Sequence, residues 1–377
     1  MGILQTDITF IGHAAGFRDK IDNLNLQKVW SIEPHELSPI AVDSLKVLNE
    51  LSQEGIEEYK QVVWVSQALI EFQDLQPYLL PEHGPFLKVH FAFLESLAAM
   101  RSSILSALGG NLHAALAVLR SSVELFIYHY WWRNRLEEEK SFHAFYSWLN
   151  AEKASPPFKQ ILTDVYKKLD LPLEAYGKDD IYKGYKKLCS YVHKPTIQES
   201  VTRIRRSNST IVSHDELYYW LNLLLQVQRP LLDLAIAHAP QALFPVAIYR
   251  KFGFNIPIGT LFDESNFIPV QEAIGPSKVL AYQEHYKRNR SVKELLHWVN
   301  NRTDLSDEEI LNTWSDDPIN DADLDFSERV FHRATMVKAR MRALMVGFVY
   351  ASMDAELFAV DMENDNERKF KKFKQRN

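Results

Sequence analysis

A predicted helical hairpin in the first half of the chain constrains the fold more than any other feature. Over residues 86–108, apolar side chains recur every three or four positions, which is the spacing of one helix face. Gly109 and Gly110 then favour a helix end, and Asn111 can cap a second apolar helix over residues 112–132. Because the connection is so short, the two helices must lie antiparallel and side by side. The sequence therefore predicts a helical bundle.

Helical signals dominate the rest of the chain as well, with one exception. Between residues 240 and 276, prolines and glycines are frequent, and β-favouring pieces at 246–249 and 266–270 suggest an irregular connector with a possible small hairpin. The predicted fold class is therefore all-α, with that short irregular or β connector between helical units. Further helices are predicted over residues 39–55, 56–76, 141–154, 158–169, 182–193, 213–238, 278–289, 291–301, from 306 onward and over 326–358.

The proline- and glycine-rich stretches divide the chain into four predicted parts. A chain of 377 residues, 46% of them hydrophobic, can bury a large core and is long enough for two or three structural units. We expect an N-terminal helical region at 1–80, a bundle core at 81–240, the connector at 241–276, and a C-terminal helical region with a charged tail at 277–377.

Composition limits the classes of partner and the compartment. The formal net charge is −6, so the whole molecule lacks the basic field of a general nucleic-acid or membrane-surface binder, and any nucleic-acid contact must be local. The apolar stretches 112–132 and 221–248 contain charged residues, which argues against membrane spans. The single cysteine, Cys189, excludes an intramolecular disulfide and fits a reducing compartment. We expect a cytoplasmic protein.

Common catalytic signatures are absent from the sequence. There is no glycine-rich phosphate loop, no dinucleotide fingerprint, no His-Glu-x-x-His and no Gly-x-Ser-x-Gly. The acidic stretch 316–325 lacks the glycine and glutamate of a calcium loop, and His214 with Asp215 fits a helix start better than a metal site. No metal or other cofactor is predicted.

Two charged residues stand out in the apolar helix 112–132. Arg120 and Glu124 are four residues apart and so share one helix face. Because a buried charge is costly unless it is paired, one interpretation is that they neutralise each other inside the bundle. The other is that they line a cleft and position a group on a second helix.

The second polar helix is predicted over residues 182–193. Tyr182, Tyr185, Cys189 and His193 fall near one of its faces. A histidine at a helix end can titrate near neutrality and act as an acid or base. It can equally be the partner of a buried tyrosine or carboxylate.

These two helices carry a resemblance to a known family. The segments LRSSVE at 119–124 and YKKLCSYVH at 185–193 resemble HEPN-like helical bundles of prokaryotic antiviral, abortive-infection and toxin systems, and the resemblance covers about residues 86–238. In catalytic members, an arginine lies a few positions before a histidine, and two such motifs meet across a dimer to form a metal-independent ribonuclease site. Here Lys187 and Leu188 stand in place of the arginine and its polar neighbour, and lysine lacks the planar fork that grips phosphate.

Many HEPN-like proteins act without catalysis as binding or dimerisation modules. The resemblance thus implies an interaction or sensor module, working as a homodimer in a prokaryotic defence or toxin system, with RNA or a protein as its partner. The alternative is an endoribonuclease in which His193 is the acid or base, Lys187 stabilises charge on phosphorus, and Arg120 with Glu124 fixes the histidine. A second alternative is a protein scaffold that docks through C-terminal aromatic residues, namely Tyr282, Tyr286, Trp298 and Trp314.

Local charge agrees with an anionic partner. Residues 178–206 contain eight basic and three acidic residues in a protein that is negative overall. Arg203, Arg205 and Arg206 lie in a polar, irregular segment that could order on a phosphate backbone or could simply be solvated.

Overall fold

The part of the protein that the structure describes is mainly α-helical. The structure, a computed structural model, describes residues 25–53, 57–75, 84–139, 143–149, 154–193, 214–253 and 260–314. Across these ranges there is no β-sheet, and two short 3-10 helices lie at Pro34–Glu36 and Pro240–Leu243. In chain order the α-helices are α1 (Leu26–Val29), α2 (Pro39–Gln53), α3 (Glu57–Leu75), α4 (Gly84–Leu108), α5 (Leu112–Glu139), α6 (His143–Leu149), α7 (Phe158–Tyr166), α8 (Lys178–His193), α9 (His214–His238), α10 (Ile248–Phe252), α11 (Glu264–Ile274), α12 (Pro276–Tyr286), α13 (Arg290–Asn300) and α14 (Asp307–Trp314).

The predicted hairpin is confirmed by helices α4 and α5. Gly110 has a φ of 79°, a left-handed backbone conformation that ends α4 at little cost because glycine has no Cβ. The Asn111 side chain then accepts a hydrogen bond from the backbone N–H of Ala114 at 3.1 Å and caps α5. The two helices pack along their length, so the local signals around residue 110 fix the first pair of the bundle.

Serine hydroxyls join α4 and α5 within their shared core. The Ser96 and Ser103 hydroxyls each donate to a backbone carbonyl of α5, at Ser122 and Ala115 respectively, both at 2.8 Å. All four residues are buried, so each of the two hydroxyls is satisfied inside the core. Small side chains at these positions let the two helix backbones approach closely.

The bundle places α8 against three other helices. Helix α3 packs against α9 and α11, and α9 packs against α5 and α8. Helix α8 also packs against α5, while α7 lies against both α5 and α8. Buried apolar residues from Leu26 to Val292 form one contiguous core cluster. The division of the chain into four parts stays a prediction.

The prediction of a β-hairpin in the connector was wrong for residues 266–270. These residues belong to α11, which starts where the Asp263 side chain accepts a hydrogen bond from the backbone N–H of Asn266 at 2.9 Å. Only one isolated parallel bridge, between Val246 and Asp263, occurs in this region of the described chain. A short apolar run cannot by itself distinguish a strand from a buried helix, and here contact with α3 favours the helix.

Within the described ranges, one helical stretch is long and apolar enough to cross a membrane by length and composition. It spans His90–Leu108, has a mean hydropathy of 1.3, and is 56% buried inside the structure. The core helix of a bundle has the same composition, and this stretch is the part of α4 that packs against α5.

Candidate functional site

Helix α8 begins with local signals and continues along a buried face. The Asp180 side chain accepts a hydrogen bond from the backbone N–H of Gly177 at 2.9 Å, and both Asp179 and Asp180 suit the positive end of the helix dipole. Gly184 lies against α9, where an added Cβ would be 3.4 Å from Val227 Cγ2, so the two helices approach closely here. The buried positions of α8 are Ile181, Leu188 and Tyr191.

Arg120, Glu124 and Tyr185 form a closed triad between α5 and α8. The Tyr185 hydroxyl donates to Glu124 Oε1 at 2.6 Å, and Arg120 Nη2 donates to the same oxygen at 2.8 Å. Arg120 Nη2 also lies 3.4 Å from the Tyr185 hydroxyl. The Arg120 and Glu124 side chains are 21% and 24% exposed, so the pair is partly shielded from water. The sequence analysis expected these two helices to face each other, and they do so at these three residues.

Stacking holds the Tyr185 ring in place. The rings of Phe158 and Tyr185 are stacked with centroids 3.9 Å apart and an interplanar angle of 24°. Arg120 Cζ lies 5.6 Å from the Tyr185 ring centroid, within range of a cation–π contact. These contacts fix the hydroxyl toward Glu124 and tie α7, α5 and α8 together.

The electrostatics of the triad favour an ion pair and a neutral phenol. Burial, with a further contribution from Glu124, raises the pKa of Tyr185 well above its ordinary value. Burial lowers the pKa of Arg120, but hydrogen bonds with Tyr185 and Glu124 outweigh it and raise that pKa overall. Tyr185 therefore remains a hydrogen-bond donor at physiological pH, and the triad satisfies itself rather than presenting a free acid or base.

Lys187 lies on another side of α8 from the triad. Two residues along an α-helix correspond to a rotation of about 200°, so Lys187 cannot share the face of Tyr185. Its Nζ is 5.7 Å from the ring centroid of Tyr219 on α9. The structure thus separates Lys187 from Arg120 and Glu124, which the ribonuclease interpretation had placed in one catalytic group.

The other predicted site residues are divided by position. Tyr182 is half-buried, with Lys159 Nζ at 5.6 Å and Lys186 Nζ at 6.0 Å from its ring centroid. His193 ends α8, about 12 Å beyond Tyr185 along the helix axis at 1.5 Å per residue, and its side chain lies outside the described residues. The convergence of His193 with the triad stays a prediction. The loop arginines Arg203, Arg205 and Arg206 also lie outside the described residues.

A cationic pocket opens between α8 and α9, on the side that carries Lys187. Its volume is about 250 Å³. Among the residues that the structure describes, Lys183, Lys187 and Arg229 make no ion pair with a carboxylate, whereas Asp180 is engaged by the backbone of Gly177. The lining residues are Tyr176, Asp180, Lys183, Gly184, Lys187, Gln226, Arg229 and Pro230.

A second pocket of about 320 Å³ adjoins the first, and the two share Tyr176 and Arg229. Among its lining residues, the buried Asp233 accepts hydrogen bonds from Lys278 Nζ at 3.0 Å and from the backbone N–H of Tyr176 at 2.8 Å. Burial raises the pKa of Asp233, while Lys278 and these hydrogen bonds oppose the rise. Arg229 Nη2 donates to Gln61 Oε1 at 3.3 Å. We call the two joined pockets the α8–α9 groove.

Of the residues of this groove, sequence reasoning assigned a site role to Lys187 alone. Arg229 and Asp233 are four apart in an apolar helix, the same pattern that singled out Arg120 and Glu124, so a signal was present. Tyr176 and Lys278 carried no such signal, because they reach the groove only through contacts between elements distant in sequence.

Two further features bear on the other predictions. Of the C-terminal aromatic residues, Tyr282, Tyr286 and Trp314 are buried, while Trp298 is 43% exposed, so most of them belong to the core. In the described part of the chain, no group of three or more His, Cys, Asp or Glu residues could hold a metal ion.

Comparison with known proteins gives no assignment. No protein-family model matches the chain, and no curated protein or solved structure shows a significant match to it.

Proposed function

We propose that this chain is an RNA-binding interaction module with a HEPN-like helical core, acting in a prokaryotic defence or toxin system. The setting comes from the resemblance of residues 119–124 and 185–193 to that superfamily. The RNA-binding role depends on one observation, the convergence of Lys183, Lys187 and Arg229 on the α8–α9 groove without a carboxylate partner among the described residues. Homodimerisation and a cytoplasmic location belong to the same proposal.

Electrostatics supports a polyanionic partner for this side of α8. Like charges four apart on a helix repel each other, so Lys183 and Lys187 reduce helix stability unless an anion lies between them. Phosphate groups spaced along a nucleic-acid strand provide such anions, and binding releases their counterions. The whole chain has a net charge of −6, so attraction for a polyanion must come from local basic surfaces such as this one.

The triad supports a binding role over a nuclease role. Ribonuclease chemistry without a metal needs an acid or base and a charge-stabilising group at one phosphate. Tyr185 is neutral and donates to Glu124, and Lys187 lies away from both. The triad holds α8 on α5, which leaves the opposite cationic side available for a partner.

RNA titrations at several salt concentrations test the proposed function. Fluorescence anisotropy with a labelled single-stranded RNA should show binding by the wild type that weakens as KCl rises. In Lys183→Gln/Lys187→Gln, the slope of log affinity against log salt should flatten by about 1.4, since each contact with single-stranded phosphate contributes about 0.7.

The matched control is Lys46→Gln/Lys293→Gln, which removes the same charge at exposed positions elsewhere on the molecule. Its salt slope should equal that of the wild type. Equal losses in both double variants, or no RNA binding by the wild type, would refute the proposal. Denaturing gels of the same mixtures should show intact RNA; cleavage that is lost in His193→Ala would favour the ribonuclease instead.

A further inference from the structure

The α8–α9 groove is larger than a phosphate ion requires. Its two neighbouring pockets, of about 250 and 320 Å³, are both lined by Tyr176 and Arg229. Pockets that hold small organic ligands start at about 300 Å³, so the joined groove has room for a compact organic molecule. The groove can therefore accommodate more of a ligand than a phosphate group alone.

Charge is distributed unevenly along the groove. The smaller pocket contains Lys183, Lys187 and Arg229, and its one carboxylate, Asp180, accepts a hydrogen bond from the backbone of Gly177. In the larger pocket, Asp233 is matched by Lys278 at 3.0 Å. The anionic end of a ligand consequently belongs in the smaller pocket.

Arg229 stands where the two pockets meet. Within the described residues, Arg229 Nη2 donates a hydrogen bond to Gln61 Oε1 at 3.3 Å, and an arginine has five N–H groups in a planar fork. That fork suits two oxygens of one phosphate better than a lysine does. Arg229 is the residue placed to hold a phosphate at the boundary.

The larger pocket suits an uncharged, partly apolar group. Its apolar lining residues are Leu232, Ala273 and Ile274, while Gln61 and the exposed Glu57 provide hydrogen-bonding groups. Tyr176 is 37% exposed and carries an aromatic ring at the junction. A planar ring with polar edges, such as a nucleobase on its sugar, has the matching chemistry.

We propose that the α8–α9 groove binds one nucleotide unit that bears a phosphomonoester, with the phosphate in the smaller pocket and the base and sugar in the larger one. This inference rests on the proposed RNA-binding function and specifies the unit that the site recognises. The same chemistry is present in the phosphorylated end of an RNA and in a free mononucleotide.

Calorimetric titration of the full chain with 5′-mononucleotides, the corresponding nucleosides and inorganic phosphate tests the groove directly. We expect at least one mononucleotide to bind at least about tenfold more tightly than phosphate or its own nucleoside, because both pockets contribute. Equal affinity for inorganic phosphate, or no binding of any mononucleotide, would overturn the inference.

Substitutions then locate the site. Arg229→Gln should weaken mononucleotide binding at least about tenfold through loss of charge-assisted hydrogen bonds, and Arg229→Lys should recover only part of it. Lys293→Gln should have no effect. Full binding by Arg229→Gln, with the wild-type melting temperature retained, would place the ligand elsewhere and overturn the inference.

Two RNAs of the same sequence, one with a 5′-phosphate and one with a 5′-hydroxyl, distinguish the sources. Tighter binding of the phosphorylated RNA supports an RNA end as the ligand, whereas equal binding with retained mononucleotide affinity supports a free mononucleotide. RNA binding without mononucleotide binding would overturn this inference and leave the proposed function intact. Mononucleotide binding without RNA binding would refute the proposed function and leave this inference intact.

Discussion

At the residue scale, Tyr185 anchors the side of α8 that faces α5. Its hydroxyl is bound to Glu124 at 2.6 Å and its ring stacks on Phe158, so it links three helices through one side chain. The pairing of Arg120 with Glu124 was predictable, because a four-residue spacing places both on one face. The separation of Lys187 from them was also implicit in the sequence, since positions 185 and 187 cannot share a helix face.

Tyr185→Phe tests the hydrogen bond without removing the ring. We expect the free energy of unfolding to fall by about 1–2 kcal/mol, because a bond to a charged acceptor is lost in a partly shielded site. Urea unfolding measures the change. Tyr182→Phe, on the same helix with no hydroxyl hydrogen bond among the described residues, is the control. Equal stabilities of the two variants would contradict the structural role of the triad.

Buried histidines form a second cluster at the residue scale. His90 is 1% exposed, and neither of its ring nitrogens has a hydrogen-bond partner among the described residues. Its ring centroid is 5.7 Å from that of His129, and His238 stacks on Tyr130 at 4.1 Å. Burial, with the nearby His129 and Arg133, lowers the pKa of His90 and of His238 well below 6.5.

Acid should therefore destabilise the fold. Below about pH 6.5 these histidines become protonated in the unfolded chain but stay neutral in the folded protein. The free energy of unfolding therefore falls by about 1.4 kcal/mol for each unit that the pH is lowered, for each such histidine. Denaturant midpoints at pH 7.5, 6.5 and 5.5 measure the slope. His90→Leu should reduce the slope by the contribution of one histidine. The control His35→Gln, at an exposed position, should not change the slope. An unchanged slope in His90→Leu would contradict the assignment.

At the element scale, apolar periodicity predicted helices such as α3 closely, and α14 was predicted from its capping residues. The Ser306 and Glu309 side chains cap α14 reciprocally, as the sequence suggested. Helix α11 was missed as a helix over residues 266–270 because its β-favouring residues gave a misleading local signal. Contact with α3 decides its conformation, and no local pattern contains that information.

Helix α11 also carries a carboxyl group with a shifted titration. Burial, and then repulsion by Asp263, raises the pKa of Glu264 to about 7, while Arg250 opposes the rise. The folded protein keeps this proton up to about neutral pH, whereas the unfolded chain loses it near its ordinary value of 4.5. Stability from this group is thus present below pH 4.5 and is lost as pH rises toward 7.

Glu264→Gln removes the carboxyl group and, with it, the fall in stability as the pH rises toward 7. We expect the variant to be more stable than the wild type by about 1–3 kcal/mol at pH 8, and the difference to shrink toward pH 4.5. Thermal or urea unfolding at the two pH values measures it. Glu272→Gln on the same helix is the matched control and should show no such dependence. A variant of Glu264 that is less stable at pH 8 would contradict the expected sign.

At the scale of the whole molecule, α8 is a helix with two different sides. One side is closed by the triad with α5, and the other carries cations into a groove shared with α9. The helical class of the fold followed from apolar periodicity and short connections. The groove could not be predicted from such patterns, because Tyr176, Arg229 and Lys278 meet only after segments distant in sequence pack together. Long-range packing is the information that one sequence does not provide directly.

Ultraviolet cross-linking of labelled RNA to the full chain, followed by mass spectrometry of the linked peptides, tests the central claim most directly. We predict cross-links in peptides that contain Tyr176, Lys183, Lys187 or Arg229. Cross-links concentrated at Tyr185 and Phe158 on the triad side, with none at the α8–α9 groove, would contradict the claim that α8 binds RNA through its cationic side.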